Sequence, residues 1–304
     1  MTIREIVVGV DGSEPSARAV QWSAGVARAI RAHVTAVHVI DPMQWPASAV
    51  AGRKIAPAGQ QAWDRAIRKE FANAWCAPLR EAGVDYSAIC VQGYPPLGIL
   101  EQARDATADL IVVGTRGHGG FADLLLGSVS RHLVHHAPMP VVVTRGHTAT
   151  PPTHLLVGVD GSDEAGVALA WAADLATTLT AKVTIVQGLP PNPLLISEAE
   201  LADIRRRLSV RADEITALGL DCAAEALPSA APAGLLMEVA SRQQADLIVV
   251  GHRGVSAISE WALGSVGSEL THHAQQPVVI VRTPPVPADH PLTGSARHYV
   301  SASE

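Results

Sequence analysis

The chain has 304 residues, of which 48% are hydrophobic, and a formal net charge of −6 at pH 7. This length allows one large domain or two of ordinary size, each with its own hydrophobic core. The 23 lysines and arginines are scattered rather than clustered, which speaks against a nucleic acid partner.

Strand and helix patterns alternate along the first half of the chain. Strands are predicted at Ile6 to Val10, Val34 to Ile40, Tyr86 to Val91, Leu110 to Val113 and Val141 to Thr144. Helices are predicted at Pro15 to Ala32, about Gly59 to Ala82, Pro96 to Asp105 and Gly127 to His136. Several of the strand runs are apolar on both faces, which predicts a parallel sheet covered by helices on both sides.

The second half repeats the first. The motif GVDGS occurs at Gly9 and again at Gly158, 149 residues later, whereas ADLIVVG ends at Gly114 and again at Gly251, 137 residues later. The second copy is therefore 12 residues shorter, and the Pro- and Ala-rich stretch near residues 42–57 accounts for the difference. We predict two tandem domains, 1–147 and 148–283, with a flexible tail at 284–304.

Glycines and small polar residues collect after the first and fourth predicted strands of each copy. In an open parallel sheet, ligands bind beyond the carboxyl ends of the strands, where the strand order reverses. Glycine-rich turns that lead into helices bind anions through backbone N–H groups. The loops therefore predict a phosphate site in each copy, although a tight connection without a ligand is the alternative.

The spacing after the fourth strand is G-x-x-G, nine residues, then G-S. It runs through Gly114, Gly117, Gly127 and Ser128, and the second copy repeats it from Gly251. This is neither a Walker P-loop nor a dinucleotide fingerprint. With the aspartate after the first strand, the doubled pattern resembles the universal stress protein family over nearly all of residues 1–282, in particular the tandem members that bind ATP.

The resemblance implies two doubly wound, open, parallel five-stranded α/β sheets of the Rossmann-like, adenine nucleotide alpha hydrolase-like type. It also implies an ATP site in each copy, with Mg²⁺ as the accompanying ion. The expected ATP contacts of the first copy are Gly9, Val10, Asp11, Val39, Gly114, Thr115, Arg116, Gly117, His118, Gly119, Gly120, Gly127, Ser128 and Val129. Those of the second copy are Gly158, Val159, Asp160, Gly251, His252, Arg253, Gly254, Gly264, Ser265 and Val266.

Some of these residues admit a second interpretation. Asp11 and Asp160 are also candidates for helix N-caps, and Arg116 and Arg253 fit a solvated position as well as a phosphate contact. The apolar position Val39, which the resemblance places against adenine, becomes Gly188 in the second copy. The second site is therefore expected to bind more weakly unless Leu189 substitutes.

The paired histidines His135–His136 and His272–His273 repeat 137 residues apart. Adjacent residues on a helix lie about 100° apart and cannot both face one ion. We expect them to interact with the helix dipole instead, and we predict no metal site. Trp22 and Trp171, at matching helix positions, are expected in the two cores.

The first apolar stretch ends before Asp11 and is too short for a signal peptide core or a membrane span. Three widely spaced cysteines, Cys76, Cys90 and Cys222, predict neither a disulfide framework nor a CxxC site. We expect a cytoplasmic protein with reduced thiols.

The resemblance implies a nucleotide-dependent regulator of stress response, growth or dormancy. We expect no catalytic residues, because no Walker lysine or acidic pair accompanies the glycines. Slow ATP hydrolysis, an ATP-using transferase or ligase, and a scaffold that binds no nucleotide remain alternatives. ATP is expected to close the loops after strands one and four, with a regulatory protein as partner. The last strands of the two copies are expected to pair, and two chains to form a homodimer.

Overall fold

The computed structural model describes residues 2–41, 57–117, 126–146, 151–254 and 263–282. Ile3–Leu133 forms one compact unit, and the chain from Val134 onward forms the other. The predicted tail at 284–304 lies outside the described residues, as does most of the Pro- and Ala-rich stretch.

The first unit is built from four parallel strands and the helices that follow them. The strands are β1 (Glu5–Gly9), β2 (His33–Ile40), β3 (Tyr86–Gln92) and β4 (Leu110–Gly114), in the order β3-β2-β1-β4. The helices are α1 (Glu14–Ile30), α2 (Pro57–Glu70), α3 (Ala77–Glu81) and α4 (Pro95–Asp105). Helix α5 (Ser128–His136) begins in this unit and ends in the next.

The second unit contains β5 (Val141–Thr144), β6 (His154–Val159), β7 (Lys182–Leu189), β8 (Cys222–Pro228), β9 (Leu247–Gly251) and β10 (Val278–Val281). Its strand order is β5-β10-β9-β6-β7-β8. Its helices are α6 (Asp163–Leu179), α7 (Glu198–Ala217), α8 (Pro232–Gln243) and α9 (Ser265–His273). The predicted α/β fold with parallel strands is confirmed.

The apolar strand runs form the centre of each core. All five residues of β4 are buried, and the first four residues of β9 are buried as well. Helix α1 packs against this layer through Ala19, Trp22 and Val26, as its spacing predicts. Trp171 is 5% exposed on α6, so the prediction of two tryptophan anchors is confirmed.

The strand order places the ligand edge between two strands of each copy. The chain leaves β1 for β2 and β3, and then returns to the other side of β1 as β4. The strand order therefore reverses between the carboxyl ends of β1 and β4, and likewise between those of β6 and β9. The loops that follow these four strands carry the predicted sites.

The prediction of one continuous helix over 59–82 is wrong. The helix is interrupted by a π-helical turn at Phe71–Trp75, which separates α2 from α3. A π turn accommodates one residue more than the α-helical path and is often found at functional sites. The corresponding helix of the second copy, α7, runs without interruption through Glu198–Ala217.

The last strands of the two copies pair, as predicted. Strand β10 is antiparallel to β5, with Val278 opposite Val143 and Ile280 opposite Val141. An arginine follows each strand: Arg145 donates to the Thr271 carbonyl at 2.9 Å, and Arg282 donates to the His135 carbonyl. Both carbonyls lie in the last turn of a helix, where a cation is favourable.

No helix within the described ranges is long and apolar enough to cross a membrane.

Candidate functional site

The turn between β1 and α1 is organised by the Asp11 carboxylate. Its Oδ1 accepts hydrogen bonds from Ser13 N at 3.0 Å and from Ser13 Oγ at 2.6 Å. Ser13 has extended backbone angles, precedes the first helical residue and accepts from Ser16 N at 3.3 Å. The cap of α1 is therefore Ser13, so the expectation that Asp11 itself caps the helix is wrong. Asp11 holds the capping serine in place.

The second copy repeats this turn. Asp160 Oδ1 accepts from Ser162 N at 3.0 Å and from Ser162 Oγ at 2.5 Å, and Ser162 accepts from Ala165 N at 3.2 Å. The N-cap of α6 is Ser162 rather than Asp160. Val159 is the last residue of β6, and Val10 directly follows β1, where its N donates to the Val37 carbonyl at 2.9 Å.

The glycine loop after β4 passes directly beside this carboxylate. A Cβ placed on Gly117 would overlap Asp11 Oδ2 and lie 3.2 Å from its Cγ. A Cβ on Gly254 would overlap Asp160 Oδ2 in the same way, again 3.2 Å from the Cγ. The middle glycine of the G-x-x-G…G-S pattern thus lies against the aspartate in both copies, and a side chain there would have to displace the carboxylate. The structure brings together the two halves of the predicted site.

The other predicted glycines allow the strand ends to approach neighbouring elements. A Cβ on Gly114 would lie 2.5 Å from the carbonyl carbon of Pro15, and one on Gly251 would lie 2.9 Å from the carbonyl oxygen of Glu164. These contacts bring the strand end against the first turn of α1 or α6. Gly9 and Gly158 pack instead against α4 and α8; a Cβ on Gly9 would lie 2.9 Å from Ile99 Cδ1.

The last glycine of each pattern closes the loop at a helix start. Gly127 N donates to the Thr115 carbonyl at 2.7 Å, and Gly264 N donates to the His252 carbonyl at 2.9 Å. Helix α9 begins after Gly264 with no side-chain cap, and Ser265 in its first turn is exposed. Ser128 is likewise exposed at the start of α5. The first-turn N–H groups have no partner within their own helix and are suited to an anion.

The remaining residues of these first turns are Val129 and Val266, both half-buried. Ser130 Oγ donates to the Gly114 carbonyl at 2.6 Å and thereby ties α5 to the end of β4. The second copy has Gly267 at this position, so the equivalent tie is absent there.

The two loop arginines have different surroundings. Arg253 Nη2 lies 3.8 Å from Glu164 Oε1, and both side chains are about one-third exposed or less, at 30% and 27%. The position of Glu164 corresponds to Pro15 in the first copy, so Arg116 has no carboxylate from that position. Arg116 is exposed, and its carbonyl lies 3.4 Å from Ser13 Oγ. Arg253 is thus partly neutralised by its own unit.

Thr115 and His252 are buried at equivalent positions, 4% and 2% exposed. His252 lies against the Arg282 guanidinium rather than in the open loop. Burial, together with the charges of Arg282 and Arg253, lowers the pKa of His252 to about 4. The imidazole is therefore neutral at pH 7, and the contribution of His252 to the loop is its backbone, through the bond from Gly264 N.

Val39, the predicted adenine contact, is 8% exposed and packs on helix α4. A Cβ on Gly98 would lie 2.9 Å from Val39 Cγ2. In the second copy the sizes are exchanged: Gly188 replaces Val39, and Leu235 replaces Gly98. A Cβ on Gly188 would lie 3.7 Å from Leu235 Cδ2. The residue that fills the missing volume is therefore Leu235, whereas Leu189 lies on the opposite face of β7.

Three predicted residues of the first site, His118, Gly119 and Gly120, lie outside the described residues. Two features at the site were not predicted: the capping serines and Trp75, whose ring lies on Gly12. The sequence signal that could have revealed Trp75 is a change in the number of residues that separates equivalent positions of the two copies. Phe71 corresponds to Leu208, 137 residues on, but Gly83 corresponds to Gly219, only 136 residues on.

Cys76, Cys90 and Cys222 are free thiols; Cys76 is buried, and Cys90 and Cys222 are half-buried. Burial raises the pKa of Cys76 and of Cys222 to about 11 and also raises that of Cys90. Over the described ranges, no group of three or more histidine, cysteine or acidic side chains is arranged to hold a metal ion. His272 Nδ1 lies 2.6 Å from the Ser268 carbonyl of its own helix.

The family model described as "Universal stress protein family" matches residues 2–145 and again residues 152–282. A curated universal stress protein from Mycolicibacterium smegmatis is 31% identical over 295 residues, which are 91% of this chain and 96% of that protein.

A solved structure that covers most of the chain shows the same fold. A universal stress protein from Archaeoglobus fulgidus has a TM-score of 0.71 at 19% identity, covering 93% of this chain and 99% of that chain. A universal stress protein in complex with cAMP is 28% identical and covers 47% of this chain and 98% of its own, with a TM-score of 0.36.

Proposed function

The chain belongs to the universal stress protein family, and from this premise we propose that it binds ATP, one molecule in each copy, and acts as a nucleotide-dependent regulator of stress response, growth or dormancy. The observation that carries the proposal is the contact between Gly117 and Asp11, repeated by Gly254 and Asp160. At this contact a glycine-rich loop, a carboxylate and the first turn of a helix lie at the carboxyl ends of the strands, where the strand order reverses.

Each of these elements matches one part of ATP. The first-turn N–H groups of α5 and α9 favour the phosphates, because the helix dipole adds to their hydrogen-bonding capacity. A carboxylate accepts hydrogen bonds from ribose hydroxyls, and Asp11 and Asp160 lie beside the glycine loops. Mg²⁺ would accompany the phosphates, with one of these carboxylates as its protein ligand and a role in neutralising phosphate charge.

The same elements support binding rather than rapid turnover. Among the described residues, the carboxylate beside each loop is already engaged by the capping serine, and the remaining groups at the helix start are backbone amides, a set that suits binding. In the proposed role, ATP shifts the loops after β1 and β4 between two arrangements for which it has different affinities. A partner protein, or a second copy of the chain, would distinguish the two arrangements.

The test is to count the nucleotides per chain. Equilibrium dialysis of the whole protein with ATP and Mg²⁺ is expected to give two ATP per chain. Gly117→Asp and Gly254→Asp are each expected to leave one, because the new carboxylate fills the loop and repels phosphate. Ser241→Asp is the charge-matched control, since Ser241 is exposed near the far end of α8. It should retain two.

Two results would contradict the proposal. Binding of two ATP by the double variant Gly117→Asp/Gly254→Asp would show that the nucleotide lies elsewhere. Many rapid turnovers of ATP by the pure protein would favour an enzyme. Dialysis with cAMP in place of ATP tests a different adenine nucleotide at the same loops.

A further inference from the structure

The first copy contains one residue that the second copy lacks, at the π turn of Phe71–Trp75. Leu79 and Ile215 are both fully buried after this point, but Leu79 follows Phe71 by eight positions and Ile215 follows Leu208 by seven. The extra residue is accommodated by the π turn rather than by a loop. It leaves the core positions on either side in register.

The effect of the π turn is to bring Trp75 onto the β1–α1 turn. A Cβ on Gly12 would lie 2.5 Å from Trp75 Cε2, so the indole rests directly on the glycine backbone. Gly12 has a φ of +84°, which also favours glycine. In the second copy, a Cβ on Gly161 would have no described atom within 4 Å. Over the described residues, this aromatic cover is therefore found on the first copy only.

The orientation of Trp75 is fixed by two other rings. His38 contacts it edge-to-face with 5.1 Å between centroids, and Phe71 contacts it at 6.1 Å. His38 Nδ1 in turn lies 2.8 Å from the carbonyl of Val10, the residue before Asp11. Trp75 is nevertheless only half-buried. A large ring is therefore held beside the site aspartate with part of its surface uncovered.

We propose that Trp75 is a base-recognition residue of the first nucleotide site, a role that rests on the proposed ATP binding and deepens it. An indole presents a flat, polarisable surface on which a purine stacks. The ring adjoins the turn that carries Asp11, the expected ribose contact, so the base is the part of ATP within its reach. Among the described residues, the second copy has no ring on the equivalent glycine, and we expect its site to bind adenine less tightly.

The experiment uses the full chain with Gly254→Asp, in which ATP binding is confined to the first site. In this background Trp75→Leu is expected to weaken ATP binding about tenfold, the order expected for loss of one stacking contact. Inorganic tripolyphosphate, which has no base, should bind within about twofold of the parent. Trp75→Phe is expected to recover part of the ATP affinity, and Trp63→Leu, on helix α2, is the matched control with no change.

The outcomes separate this inference from the proposed function. If the Gly254→Asp parent binds no ATP, the proposed function of the first site fails and this inference fails with it. If the parent binds ATP but Trp75→Leu binds it equally well, only this inference is overturned. An equal loss of ATP and tripolyphosphate affinity would also overturn it, because it would show that Trp75 merely supports the turn.

Discussion

Val39 Cγ2 would lie only 2.9 Å from a Cβ on Gly98, so the valine of β2 occupies the space that a larger residue of α4 would need. The second copy fills the same space from the other side, with Gly188 on β7 and Leu235 on α8. Total volume is preserved while the contributing element changes. Such exchanges are well tolerated in protein cores, because packing density is maintained.

The exchange predicts that single changes at this position are costly and paired changes are not. Gly98→Leu alone should destabilise the first unit by about 1–3 kcal/mol through overpacking against Val39. Adding Val39→Gly should recover most of this loss, since the pair then matches the second copy. Urea denaturation of the parent, the two single variants and the double variant measures the coupling free energy between the two positions. Additive effects of the two substitutions would contradict the interpretation.

The contact between Asp11 and Gly117 predicts a second coupling. Gly117→Ala must displace the Asp11 carboxylate, whose Oδ1 then loses its bonds to Ser13, so ATP binding at the first site should weaken about tenfold. In an Asp11→Ala background the same alanine has no carboxylate to displace and should cost little. The four ATP affinities are measured by titration in the Gly254→Asp background, for the parent, Gly117→Ala, Asp11→Ala and the double variant. An equal cost in both backgrounds would disprove the coupling.

The sequence was sufficient to predict the fold because the decisive signals are local. Buried strands appear as apolar runs such as Leu110–Gly114, and the duplicated glycine spacing identifies the loop at the end of each β4-type strand. The pairing of the last strands, Val141–Thr144 and Val278–Val281, followed from the family resemblance. These features depend on few long-range side-chain contacts.

What was missed depends on contacts between distant residues. The partner of Gly188 is Leu235, 47 positions away on a helix, whereas sequence reasoning considered only the adjacent Leu189. The N-cap of α1 is Ser13 rather than Asp11, because the Asp11 carboxylate accepts a hydrogen bond from Ser13 Oγ. Trp75 reaches Gly12 only through a π turn, which no periodicity of apolar residues signals.

The buried imidazole of His252 predicts a loss of stability at mildly acidic pH. Its folded pKa, lowered to about 4 by burial and by the nearby arginines, lies below the unfolded value of about 6.5. The unfolded state therefore binds more protons between these values, and stability falls as the pH drops through this window. The expected loss is about 2 kcal/mol by pH 5.

The matched control is His252→Thr, which installs the residue found at this position in the first copy. Its free energy of unfolding should change less between pH 7 and pH 5 than that of the parent. The pH dependence of stability that remains in the variant has a contribution from His154. Burial lowers the pKa of His154 as well, so its protonation also favours the unfolded state. Identical slopes in parent and variant would show that His252 does not control the acid response.

The cysteines are expected to react slowly in the folded protein. A thiolate is the reactive form, and burial raises the pKa of both Cys76 and Cys222 to about 11, so each is protonated at pH 8. Iodoacetamide labelling followed by mass spectrometry should modify all three thiols only after unfolding in urea. Rapid native labelling of Cys76, which is fully buried, would contradict the packing around the π turn.

The two arginines that follow the last strands each contact the end of a helix. Arg145 donates to the Thr271 carbonyl, and Arg282 donates to the His135 carbonyl and also contacts buried His252. Burial lowers the pKa of Arg282, which shows that its charge is poorly solvated and depends on these contacts. Arg282→Met should therefore cost about 1–3 kcal/mol. Arg145→Met is the matched variant, because Arg145 is the equivalent residue of the first copy.

The same pair of variants separates charge from packing. Because the Arg282 charge helps to lower the pKa of His252, Arg282→Met should raise that pKa and make the stability less sensitive to pH between 7 and 5. Arg145 is not among the charged residues that lower the pKa of His252, so Arg145→Met should leave the pH dependence unchanged. Urea denaturation at the two pH values measures both effects. Equal pH dependence in the two variants would mean that the Arg282 charge does not contribute to keeping His252 neutral.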